Sequence, residues 1–105
     1  MTIQREIVEG TIEQGADEQI IYSLTITPWG SSPTSISCKV YDITENTRTD
    51  VTTTVMPTNS PVATGDVIAL SPLKLLTAGN TYRVEVKFTA GGNVFEAYAI
   101  VQAKN

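Results

Sequence analysis

Ser71-Pro72-Leu73-Lys74 fits S-x-x-K, a spacing in which a lysine activates a serine nucleophile. That chemistry needs the two side chains one turn apart on a helix. A Pro-led, Leu-rich stretch does not supply one, so the serine reads as structural. The chain has no His, which removes His-based triads, His general bases and nearly every zinc site. Cys38 is the only cysteine. An internal disulfide and a thiolate metal cluster are therefore both excluded. No GxxxxGK[ST] or GxGxxG occurs to cradle a phosphate. Asp17 and Glu18 are adjacent, and Asp42, Glu45, Asn46 and Asp50 gather around one loop. Calcium wants six to eight oxygens from a tight loop of alternating ligands. These spacings do not give that, and the loop reads as a solvated polar turn. No pair of carboxylates is singled out for glycoside hydrolysis. The expectation is a protein that is not an enzyme, with no catalytic residue, cofactor or metal.

Two groups of residues could bind rather than react. Trp29, in Pro28-Trp29-Gly30, is a loop aromatic. It could stack on a sugar ring or anchor a protein partner; closing one end of the core is the reading favoured over these. Tyr98, Ile100 and Val94 alternate along the last apolar stretch. Together they would form an apolar patch on an outer sheet face, either an interface or ordinary exposed side chains.

The elements that must position them are strands. Residues Tyr82 to Thr89 put Tyr82, Val84, Val86 and Phe88 on one face and Arg83, Glu85, Lys87 and Thr89 on the other. Period two with one wet face is an antiparallel strand. Val94 to Ala103 follows after a Gly91-Gly92 turn, whose glycines allow positive φ. A two-residue loop there pairs Phe88 with Phe95, Lys87 with Glu96 and Val84 with Ala99. A slip by one would set Phe88 against Glu96, so the first register is expected. That register turns Tyr98 and Ile100 outward, and the last strand is expected to be a sheet edge.

Gln19 to Thr27 alternates with Ile20, Tyr22, Leu24 and Ile26 inward. Ile36, Cys38 and Val40 alternate likewise. Val51 to Met56, Asp66 to Leu70 and Ile3 to Val8 read as further strands. Turn clusters lie at Pro28 to Thr34, Asp42 to Asp50 and Pro57 to Gly65. About seven short strands and no helical periodicity point to an all-β, antiparallel β-sandwich. The 105 residues fit one domain, residues 1–105.

Leu76-Thr77-Ala78-Gly79-Asn80-Thr81-Tyr82-Arg83-Val84-Glu85-Val86 resembles the E–F corner of fibronectin type III and bacterial immunoglobulin-like domains. In that corner Gly79 permits the bend, and Tyr82 returns its hydroxyl to the backbone upstream. Antibody-type domains are excluded, because they need two cysteines across the core. Residues Ile36 to Val101 also resemble small immunoglobulin-like proteins of bacteriophage and prophage structural gene clusters. The resemblance implies a non-enzymatic virion component from the head–tail region, acting through protein–protein docking or self-association. A carbohydrate- or cell-surface-binding module using Trp29 is the alternative.

Charge and hydropathy narrow the partners. The net charge is −4, and the seven basic residues are dispersed, unlike the basic stripe a nucleic acid requires. No apolar run approaches the roughly 20 residues that span a bilayer, and the N-terminal segment lacks the apolar core of a signal peptide. The expectation is a protein that is cytoplasmic at synthesis, binds neither nucleic acid nor membrane, and associates with a virion if the resemblance holds.

Overall fold

The computed structural model describes the backbone of residues 2–27 and 30–105, and the side chains of 11–27 and 30–105. Its best-determined piece by sequence is the last hairpin. Strands β7 (Thr81–Ala90) and β8 (Asn93–Lys104) are antiparallel, with Phe88 opposite Phe95, Lys87 opposite Glu96 and Val84 opposite Ala99. Gly91 and Gly92 take φ of 58° and 81°, the left-handed pair a two-residue turn demands. The two phenylalanine rings stack at 5.5 Å. The expected register is the observed one.

Strand β1 (Thr2–Gly15) precedes β2 (Ser23–Thr25), β3 (Thr34–Asp42), β4 (Thr49–Asp50), β5 (Val62–Thr64) and β6 (Val67–Ala69). Two sheets form, in the orders β1-β8-β7-β3-β4 and β2-β6-β5. The fold is all-β apart from single helical turns. Eight strands occur among the described residues, against about seven expected, and β1 pairs with β8 in parallel. Between the sheets lie Leu24, Ile26, Val40, Ile68, Leu73, Tyr82, Val84, Val86, Phe88, Phe95 and Val101, all buried. Alternation holds along residues 20–27: Leu24 and Ile26 are buried, Ile20 and Tyr22 are half-buried, and their neighbours are exposed.

The E–F corner resemblance has a physical counterpart. Gly79 sits at φ 89°. The Thr77 N–H donates to the Tyr82 hydroxyl oxygen at 2.9 Å, and Tyr82 is 2% exposed. A buried phenol thus satisfies a backbone donor that the bend takes out of the ladder.

Three expectations need correction. Val51–Met56 is not a strand: residues Thr52–Val55 form one helical turn, α1. The Asp50 carboxylate accepts from the Thr52 N–H at 3.0 Å and from its hydroxyl at 2.6 Å. The same hydroxyl oxygen accepts the Val40 N–H at 2.9 Å. A side chain therefore takes the place of a ladder partner, and these local side-chain bonds override β propensity. The loop expected over Pro57–Gly65 contains β5, which pairs with β6 across Gly65 and Asp66. The last strand is not an edge, because β8 lies between β7 and β1.

Candidate docking surface

Loss of the edge changes the meaning of the outer face. Val94, Tyr98 and Ile100 do share one face of β8, and all three are half-buried. Tyr98 lies under Arg83, whose guanidinium carbon is 3.8 Å from the ring centroid. Arg83 Nε is 2.8 Å from Glu85 Oε2, although its N–H is not aimed at the carboxylate. Glu85 also pairs with Arg48 at 3.0 Å, and Arg48 lies 4.0 Å over the Tyr41 ring. Tyrosine, arginine, glutamate, arginine and tyrosine thus run in sequence across β3, β7 and β8. This is a charge-compensated face with its two arginines already seated on rings. A shallow concavity of about 460 Å³ beside it is lined by Ser37, Lys39, Tyr41, Arg48, Glu85 and Lys87, among others. Acids and bases alternate there, so no single ligand charge is selected.

The reactive-looking residues are accounted for structurally. Ser71 is buried in non-helical backbone, and its hydroxyl oxygen accepts the Ser60 N–H at 2.8 Å. Asp42 caps a turn by accepting the Thr44 N–H and the Asn80 side-chain amide, each at 3.0 Å. Hydrogen bonds from the Thr52 hydroxyl, then from its N–H, hold the Asp50 carboxyl below the ordinary aspartate value. Burial pushes the Cys38 thiol up to about 12, which keeps it neutral and unreactive. Among the described residues no group of three or more His, Cys, Asp or Glu is placed to hold a metal. Trp29 and Pro28 lie outside the described residues.

What the sequence did not reveal is the edge itself. β1 pairs only with β8 among the described residues, so its other side is open. The Ala16 N–H donates to the Lys104 carbonyl, while the Gly15 N–H turns away and donates to Glu18 Oε1 at 2.6 Å. Alternation along the strand then places the Glu13 and Thr11 N–H groups on the open side. Glu18 blocks one donor at the end of this edge, a guard of the kind natural edge strands carry.

Inside that edge, Gln14 is fully buried. Its Nε2 donates to the Leu73 carbonyl at 2.8 Å and the Glu18 carbonyl at 3.1 Å, and its Oε1 accepts the Tyr22 hydroxyl at 2.8 Å. Burial, then the Glu18 charge, raises the Tyr22 phenol, so it remains a donor. A glutamine ordinarily reads as a surface residue, and nothing in its spacing marked it.

Next to Gln14 is an apolar cavity of about 160 Å³, lined by Ile12, Tyr22, Ser23, Leu24, Leu70, Val84, Val86, Ala99 and Val101. It lies between the sheets on the side where β1 and β2 are both edges. β1 pairs through Glu6 with Tyr98 and resumes with Thr11 opposite Ile100, and Ala99 between them brings only a methyl group to the cavity wall.

Comparison with protein-family models finds none that matches the chain, and comparison with curated proteins likewise finds no match.

Proposed function

We propose that this chain is a non-enzymatic docking module with an immunoglobulin-like or fibronectin type III-like sandwich, serving as a phage or prophage virion component. Strand order supports the finer fold reading. The sequence β2-β6-β5 has the order of strands B, E and D of that fold, and β8-β7-β3 the order of G, F and C. The corner built on Gly79 and Tyr82 supports it further. The virion context rests on the resemblance of residues 36–101.

The observation that carries the docking reading is the open edge of β1. A strand 14 residues long, with no partner on one side among the described residues, presents a row of backbone donors and acceptors. Such an edge takes up a strand from another chain. The outer face around Tyr98 and Ile100 is the flank of this surface and not its centre.

Glu13→Pro tests it. The Glu13 N–H belongs to the open side, so proline removes an edge donor and no bond to β8. The variant is expected to melt within a few degrees of the wild type. It should fail to co-sediment with particles assembled from the capsid and tail proteins encoded beside it. Retained co-sedimentation would remove the edge as the docking site. Neighbouring genes for secreted hydrolases or adhesins, together with retention on a polysaccharide column, would replace the reading with carbohydrate binding.

A further inference from the structure

We propose that the seam between β1 and β2 is a receptor for one apolar side chain, carried on an extended and basic segment of a partner protein. This rests on the docking reading and names the chemistry of its partner. Three observations converge on the seam.

The first is shape. The cavity of about 160 Å³ has walls from both sheets, including Leu24, Leu70, Val84 and Val101. An apolar cavity of roughly 150 Å³ accepts a benzene-sized group and stays dry when empty. One Leu, Ile or Phe side chain is of that size. Ser23, which is exposed, and the half-buried Ile12 and Tyr22 stand where the cavity opens.

The second is the backbone around it. β1 ends one sheet and β2 ends the other, both on this side. A strand laid along β1 would satisfy the outward N–H groups of Thr11 and Glu13. Its alternate side chains would point between the sheets, where the cavity is. A free apolar molecule would fill the hole but leave the β1 edge unpaired. An extended chain matches the two features together.

The third is charge. Glu13, Asp17 and Glu18 are all exposed, at and just past the end of β1, and residues 19–38 carry no charge. Lys104 offsets Glu13 only loosely, at 3.7 Å, with both side chains at least half exposed. The rim is acidic on the β1 side and neutral on the β2 side. A partner strand with lysine or arginine beside its apolar residue is complementary to it; an acidic strand is repelled.

A peptide series tests this on the full chain. The probe is a nine-residue peptide alternating lysine and threonine with one central leucine. Three counterparts carry serine for leucine, glutamate for lysine, or both. Binding is followed by amide shifts in ¹⁵N-labelled protein. The lysine–leucine peptide is expected to shift Ile12, Ser23, Leu24 and Ala99. Burying one such side chain in the cavity should bind it at least about tenfold more tightly than the serine peptide. The glutamate peptides should not bind. Ala99→Leu, which fills the cavity from within, should remove the leucine preference while its melting temperature is held or raised. Equal binding of the leucine and serine peptides, or an unchanged preference in Ala99→Leu, overturns side-chain insertion. In that case shifts confined to Thr11–Gly15 and abolished by Glu13→Pro would leave edge docking standing. Shifts that survive Glu13→Pro would overturn both.

Discussion

Tyr82 and Gly79 show how two residues fix one bend. The Tyr82 hydroxyl accepts the Thr77 N–H at 2.9 Å. Phenylalanine would keep the ring in the core and leave that donor without its partner. Tyr82→Phe is expected to cost about 1 kcal/mol or somewhat more. Urea melts measure it, and a neutral result would remove the corner bond from the account. Gly79 has φ 89° and nothing within 4 Å of where a Cβ would stand. Its replacement therefore meets no steric wall, and only backbone strain opposes it. Gly79→Val should cost more than Tyr82→Phe in the same melts, since a β-branched residue is poorly tolerated at such φ. This corner was legible in the sequence because its causes are local: a glycine for the bend, a tyrosine three residues on, then strict alternation. Gln14 was not legible, because its shorter amide bond reaches Leu73, 59 residues away, and its nearer partners, Glu18 and Tyr22, form no pattern that marks a buried amide.

At the scale of elements, legibility follows the same rule. The β7–β8 hairpin could be read to the residue, since two glycines and period-two burial determine it within one stretch of chain. The segment 51–56 could not. Its valines and threonines favour extended backbone, yet Asp50 and Thr52 fold it into α1 through bonds that include Val40, from a different strand. The parallel pairing of β1 with β8 joins the two ends of the chain, and no local pattern announces such a partner. The α1 account makes its own prediction. Thr52→Val keeps volume and β-branching but removes the acceptor for a buried Val40 N–H and the donor to Asp50. It should destabilise by about 1–3 kcal/mol, the usual effect of leaving a buried group unpaired. There is also a sign in pH. The Asp50 carboxyl is lowered from its ordinary 3.8 by Thr52. Its contribution is therefore complete above that value and is lost as pH falls through the lowered one. Stability measured below about pH 4 should fall less steeply in Thr52→Val than in the wild type. Parallel curves would disconnect Asp50 from the turn.

The molecule as a whole is two unequal sheets, and an unequal pair needs a tie on its open side. The larger sheet has five strands and the smaller three, and the apolar cavity lies where β1 and β2 end them. Gln14 is the structural answer to the problem of holding β1 in place there. It projects from β1 and bonds the carbonyls of Leu73 and Glu18 and the hydroxyl of Tyr22. Ile20 and Leu73 bridge each other in turn, so one amide fastens the large sheet to the chain that leads into the small one. Leucine at this site would have similar bulk and would satisfy none of the three partners. Each group left unpaired in a buried setting costs about 1–3 kcal/mol, and Glu18's carbonyl is the most open to water. Gln14→Leu should therefore lose more than Tyr22→Phe, which removes only the hydroxyl bond to Oε1. Urea melts give the order of the two, and hydrogen exchange gives the place. Protection should fall first at Ile12 to Ala16 and at Ile20 and Leu73, with the β7–β8 hairpin unaffected. If Gln14→Leu is as stable as the wild type, or if exchange quickens evenly over both sheets, the amide is not the tie. The open side would then be held by β1–β8 pairing alone.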